Sequence, residues 1–180
     1  KPFDLFVTSG VNIFDQKSAT TSGDSAIFDA VDEASLNQGT TNITVTTLAK
    51  RDVYQTDVIA DKEAVVANGT ISVTHDGTQY DFTTDGKTYQ EVADEMNVNS
   101  NFNATVEQVG TDEYRIVIKS AESGEDNALT IATDVVALGD MSTLSTNHTV
   151  TATNLDATVD GVAYDVSTNV ITVDGGLKIT

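Results

Sequence analysis

The clearest pattern along this chain is alternation of apolar and polar residues in short runs separated by turn-forming residues. From Thr41 to Leu48, Ile43 and Val45 fall on one face and Thr44 and Thr46 on the other, the period of a half-buried strand. Ile71 and Val73 alternate up to Asp76-Gly77, and Tyr80 and Phe82 alternate down to Asp85-Gly86. Two strands joined by Asp-Gly form a hairpin, because both central turn positions favour positive φ. The period then changes. Thr88-Tyr89-Gln90-Glu91 has the spacing of a capping box, and Tyr89, Val92, Ala93 and Met96 lie on one helical stripe before Asn97 to Asn103 ends it. The pattern predicts a helix of two to three turns.

Three further strands are expected after the helix: Ala104 to Val109, Glu113 to Ser120 with Tyr114, Ile116 and Ile118 on one face, and Ala128 to Thr133. Hairpin, helix and three strands make a small α+β module in which one sheet buries a face under the helix. Near the end, Leu155, Ala157 and Val159 lead into Asp160-Gly161, with Val162 and Tyr164 returning. Ile171 and Val173 then run to Asp174-Gly175-Gly176 and Leu177 to Thr180, a further hairpin with a trailing strand. Phe3 to Phe14 reads as a short extended segment, Gln16 to Ser25 as a loop, Ala26 to Val31 as a strand and Asn37-Gln38-Gly39 as a turn. Lys50 to Ala67 fits either period and is taken as extended, and Thr133 to Thr149 as a connection.

Composition supports thin β-rich layers rather than one thick globule. Aromatics are 6% with no Trp, so the core must come from Val, Ile, Leu and Ala in many short segments. Thr, Asn, Asp, Ser and Gly between those segments favour turns and pleated strands. The net charge of −19 repels phosphate backbones and anionic membranes, so neither nucleic acid nor membrane is expected as a partner. An acidic surface also keeps a protein soluble outside the cell or at high local concentration.

Without Cys, the chain has no disulfide, thiolate metal site or Cys nucleophile. No apolar run approaches the ~20 residues of a membrane helix. Lys1-Pro2-Phe3 lacks the order of a signal peptide, so the chain is expected to start inside a longer protein.

Candidate chemistry is sparse. His75 beside Asp76-Gly77 and His148 in a polar run have no His or Cys near them, and each is read as a solvated turn histidine. No Gly-x-Ser-x-Gly nucleophile elbow occurs. The acidic clusters Asp32-Glu33, Asp94-Glu95, Asp112-Glu113 and Glu122 to Asp126 lack the spacing of a calcium loop and are read as solvated. Asn42, Asn68, Asn103 and Asn147 begin Asn-x-Thr triplets, which are frequent by chance in an Asn- and Thr-rich chain. Asp85-Gly86-Lys87-Thr88 looks like the tail of a phosphate loop, but Asp81 stands where the upstream glycine is required. The expectation is no enzyme, no catalytic, cofactor-binding or metal residue, and no cofactor.

Several stretches resemble a known family. Thr70 to Ile131, with Asp85-Gly86-Lys87-Thr88-Tyr89-Gln90-Glu91-Val92-Ala93, Ala104-Thr105-Val106, Tyr114-Arg115-Ile116-Val117-Ile118-Lys119-Ser120 and Gly124, is similar to the internal motif of flagellins, hook-associated proteins and the filament cap. Asn42-Ile43-Thr44-Val45-Thr46-Thr47-Leu48-Ala49 resembles the incoming strand of the flagellar filament cap family (FliD, hook-associated protein two). Leu155-Asp156-Ala157-Thr158-Val159-Asp160-Gly161-Val162-Ala163-Tyr164 resembles its outgoing hairpin, and Ser167 to Ile171 and Gly176 to Thr180 continue the match. The order of incoming strand, internal motif and outgoing hairpin fits the cap better than flagellin.

The resemblance implies two small antiparallel β-rich domains, one inserted in the other: residues 1–66 with 150–180, and 67–149. It implies a structural and assembly role at the extracellular tip of the bacterial flagellum. There the full-length protein would form a ring that promotes flagellin polymerisation, with flagellin subunits and its own copies as partners. The helical legs of that family would lie outside this chain. The alternative is a solvent-facing adhesin, or a variable outer domain of a flagellin or hook-junction protein, touching host mucin or glycans.

Overall fold

A computed structural model describes residues 7–8, 11–12, 28–30, 39–141, 146–173 and 177–179. The chain is mainly β, with one helix among the described residues and several antiparallel sheets. Gln16 to Ser25, Asp32-Glu33 and Asp174-Gly175-Gly176 lie outside the described residues.

The strands, in chain order, are β1 (Val7–Thr8), β2 (Val11–Asn12), β3 (Phe28–Ala30), β4 (Ile43–Thr47), β5 (Val53–Gln55), β6 (Thr70–His75) and β7 (Thr78–Thr83). After helix α1 (Tyr89–Met96) come β8 (Phe102–Gly110), β9 (Glu113–Ser120), β10 (Leu129–Thr133), β11 (His148–Val150), β12 (Leu155–Val159), β13 (Val162–Val166), β14 (Ile171–Val173) and β15 (Leu177–Ile179).

The β6–β7 hairpin turns through Asp76 (φ 46°) and Gly77 (φ 70°), and the β12–β13 hairpin through Asp160 (φ 49°) and Gly161 (φ 85°). Asp tolerates the left-handed region because its short side chain can satisfy nearby backbone, and Gly has no Cβ to clash. The helix starts as its pattern requires. Thr88 Oγ1 accepts the Glu91 amide at 3.2 Å while Glu91 Oε2 accepts the Thr88 amide at 2.8 Å. At the other end the Asn97 side chain imitates a strand partner, donating to the Ala104 carbonyl and accepting the Ala104 amide, which fastens α1 to β8.

The expected single sheet under the helix is not what forms. The hairpin and β10 make one sheet, in the order β10-β6-β7, with Ile131 opposite Val73. β8 and β9 join a second, in the order β11-β5-β9-β8. The reason is non-local: β9 exposes an edge to β5, so Val53, Tyr54 and Gln55 pair with Lys119, Ile118 and Val117. Of the ambiguous Lys50 to Ala67 stretch, read as extended, only β5 is a strand, lying between β11 and β9 in the second sheet, with turns following at 60–64. The Thr133 to Thr149 connection also ends in a strand, β11, paired with β5.

The larger core lies between these sheets and the helix. It includes Ile71 and Val73 of β6, Phe82 of β7, Val92, Ala93 and Met96 of α1, Phe102 and Ala104 of β8, Ile116 and Ile118 of β9, and Leu129 and Ile131 of β10. A smaller core is built from Ala49, Leu155, Ala157, Val159, Ile171 and Ile179. It is covered by two three-stranded sheets, β13-β12-β4 and β14-β15-β3. Ile43 and Val45 pack on it from β4 while Thr44 and Thr46 face solvent, as the alternation predicts.

Candidate functional site

Between the two cores the chain crosses twice, outward after Ala49 and back before Leu155, and a connected buried polar group that includes Asp52 and Ser120 lies at this crossing. Ala49 belongs to the smaller core and Tyr54 to the larger one, so Lys50 to Val53 bridge them. The two crossing strands bind each other: the Lys50 amide donates to the Thr153 carbonyl at 2.9 Å and the Thr153 amide to the Lys50 carbonyl at 3.3 Å.

Asp52 is the hub. It is 1% exposed, and an ionised carboxylate buried this deeply must have its lone pairs matched. Its Oδ2 accepts the Leu129 amide at 2.7 Å. Its Oδ1 accepts the Ala152 amide at 3.2 Å and faces His148 Nε2 at 2.6 Å. Its own amide donates to Ser120 Oγ at 3.0 Å, and its carbonyl accepts the Ser120 amide at 3.1 Å. One side chain therefore ties together the start of β10, strand β11 and the returning crossing, while its backbone ties the end of β9.

Tyr54 completes the arrangement. Its ring stacks on His148 with centroids 3.9 Å apart and planes 9° from parallel. Its hydroxyl donates to the Leu129 carbonyl at 2.8 Å, so both backbone groups of Leu129 are held by residues just past the crossing. Burial, and then the negative charge of Asp52, push the Tyr54 hydroxyl up to about 12.

The sign of this shift fixes a prediction. A phenol easier to ionise unfolded than folded stabilises the fold fully below pH 10, and that contribution is lost as pH rises from 10 through 12. The loss is about 2–3 kcal/mol. Tyrosinate absorbance followed during alkaline titration should show a late-ionising tyrosine that disappears in Tyr54→Phe. The variant should also lose less stability over that interval.

A third set of contacts comes from the β9–β10 loop. The Gly124 amide donates to the Lys50 carbonyl at 3.1 Å, Ser123 Oγ to the Ser167 carbonyl at 2.6 Å, and the Glu125 amide to Asn154 Oδ1 at 2.9 Å. Gly124 has φ 102°, and a Cβ there would lie 2.8 Å from Ser167 Cα, so only glycine lets the loop approach this closely. On the smaller core's side, the Asn169 side chain accepts the Ala49 amide at 2.7 Å and donates to the Ala49 carbonyl at 3.0 Å.

The structure places the residues singled out in the sequence as follows. His148 is not a solvated turn histidine: its side chain is 12% exposed, and its partner Asp52 stands ninety-six positions away, beyond any local pattern. His75 ends β6, with Nε2 3.5 Å from Asn127 Oδ1. Ser120 Oγ, which accepts the Asp52 amide, donates to the Glu122 carbonyl at 2.7 Å. Among the described residues no group of three or more His, Asp or Glu is placed to hold a metal ion.

Asp94 accepts from Gln90, Glu95 pairs with Lys87, and Lys87 also donates to the Thr83 carbonyl, so the phosphate-loop lookalike is engaged in its own cap. Asn147 is buried and donates to the Gln55 carbonyl at 3.1 Å and Asp57 Oδ1 at 3.0 Å, whereas Asn42, Asn68 and Asn103 are exposed. No helix among the described residues is long and apolar enough to cross a membrane.

Comparison with known proteins points in one direction. No family model matches the chain. Over 98 residues, 49% of the chain, it is 38% identical to the flagellar hook-associated protein 2 of Campylobacter jejuni, and it spans 15% of that relative's length. Its fold is that of the D2-D3 domains of the flagellar cap protein FliD from Escherichia coli, with TM-score 0.69 at 22% identity over 89% of this chain and 90% of that one. The D1-D2-D3 structure of the same protein aligns with TM-score 0.72 at 24% identity, over 93% of this chain and 54% of that one. FliD (HAP2) from Pseudomonas aeruginosa aligns with TM-score 0.62 at 18% identity, over 86% of this chain and 76% of that one.

Proposed function

We propose that this chain is the outer head of a flagellar filament cap, a structural and assembly element with no catalytic role. The observation that carries this reading is the end-to-end correspondence with the D2-D3 domains of a flagellar cap protein, about nine-tenths of each chain. The identity to a hook-associated protein 2 over half of the chain supports the same reading from sequence. The geometry is consistent with scaffolding: the most buried polar constellation is spent on holding backbone segments together, with every hydrogen bond of Asp52 directed at another part of the fold.

The head comprises two lobes, one inserted in the other. Two separate cores support this reading, with the paired Lys50–Thr153 crossing between them. Pairing of β5 and β11 with the sheet of β9 favours extending the insert expected at 67–149 to about 51–152, leaving residues 1–50 and 153–180 as the other lobe. In the full-length protein several copies would form a ring at the filament tip, outside the cell. That ring would guide incoming flagellin subunits into the lattice, with helical legs beyond this chain gripping the filament.

The test is to add the full-length gene product to flagellin near its critical concentration. Ring-shaped particles in the electron microscope and a changed rate of filament growth are expected. A monomer with no effect on growth would overturn the proposal, and binding to mucin in its place would favour an adhesin.

A further inference from the structure

Two lobes joined by two crossing strands are expected to swing, because relative motion is the default where an interface is small and polar. Here the β9–β10 loop bonds one lobe to the other, and the crossing itself is fastened to the lobe on each side. Bending about the Lys50–Thr153 pair would pull the β9–β10 loop off the smaller lobe, breaking Ser123 Oγ to the Ser167 carbonyl and the Glu125 amide to Asn154. Asp52, inside the crossing, holds Ala152 of the returning strand together with His148, Leu129 and Ser120 of the inserted lobe, so the crossing cannot work loose from that lobe without stripping donors from a buried carboxylate. At the other end Asn169 holds Ala49 to the smaller lobe, so the crossing is fastened on both sides. The contacts depend on one another, since the loop reaches Lys50 only because β9 is anchored at Ser120, which Asp52 itself holds.

We infer that Asp52 and the Gly124 contact act as a lock on a latent hinge, so that the two lobes move as one body and their relative orientation is a property of the fold. A hinge needs a few residues free to change φ and ψ, and at this crossing Ala49, Lys50, Asp52, Ala152 and Thr153 are all held through backbone bonds. The inference is independent of the cap assignment: a locked head could serve another assembly, and a cap head could be jointed.

The experiment exploits the absence of Cys. Spin labels are attached at Thr44→Cys, exposed on β4 of the smaller lobe, and Val98→Cys, 87% exposed beyond α1 in the larger. The distance distribution is then measured by pulsed electron resonance on the whole chain. A single narrow distance is expected. Asp52→Asn, nearly isosteric but placing an amide where the carboxylate accepts, should broaden the distribution or add a second population. Gly124→Ala should do the same through its clash with Ser167, with far-ultraviolet dichroism unchanged. A broad distribution in the parent would overturn the inference, as would a distribution unmoved by both variants while folded. Should Asp52→Asn fail to fold, Gly124→Ala and the parent distribution decide it.

Discussion

Replacing Phe102 with Ala should lower the unfolding free energy by about 3–5 kcal/mol, among the largest losses available from one core side chain. Phe102 is fully buried at the start of β8, where the two sheets and α1 converge. Its ring meets Phe82 edge-on at 5.9 Å and 90°, and Tyr80 at 6.0 Å and 64°. Truncation removes apolar contacts with both sheets and leaves a void walled by strands whose ladders resist collapse. Chemical denaturation should show a lower midpoint at unchanged slope, because the surface exposed on unfolding changes little. A loss below about 1 kcal/mol would mean the site closes over the deletion.

Asp52→Ala should cost about as much by a different route, about 3–5 kcal/mol, because it strands partners instead of opening a cavity. The Leu129 amide, the Ala152 amide and His148 Nε2 each lose their acceptor in a place water reaches poorly. An unsatisfied buried donor costs about 1–3 kcal/mol, so three together account for the expected size. His148→Phe keeps a ring on Tyr54 while removing one of the three donors, and should cost less. The double variant should be less destabilised than the two losses summed, because without the carboxylate the His148 donor has nothing to bind. Strict additivity would show that the 2.6 Å contact carries no coupling.

The parts of this fold that follow from neighbouring residues could be read directly from the chain. The Asp-Gly hairpins, the capping box at Thr88 and Glu91, the apolar stripe Tyr89, Val92, Ala93 and Met96, and the alternation in β4 and β12 are each set within a few positions, and all are found where the pattern puts them. What could not be read depends on register between distant segments. Nothing near Val53 shows that it pairs with Lys119, so the single sheet expected under the helix divides in two.

The same limit hid the crossing. Asp52 looks like one acid among 28, and His148 like a histidine in a polar run, until a separation of ninety-six residues is closed. The stretch around Tyr54 fits either period, so its pattern alone carried no signal of the crossing. The cap resemblance, carried by extended stretches instead of isolated residues, was legible because those stretches are the lobes themselves.

The central claim is that this head belongs to a filament cap, and the most direct measurement is where flagellin goes when the gene is deleted from its host. The account predicts flagellin lost to the medium as monomer, hooks left bare, and filaments restored by supplying the gene in trans. Normal filaments on the deleted cells would contradict it.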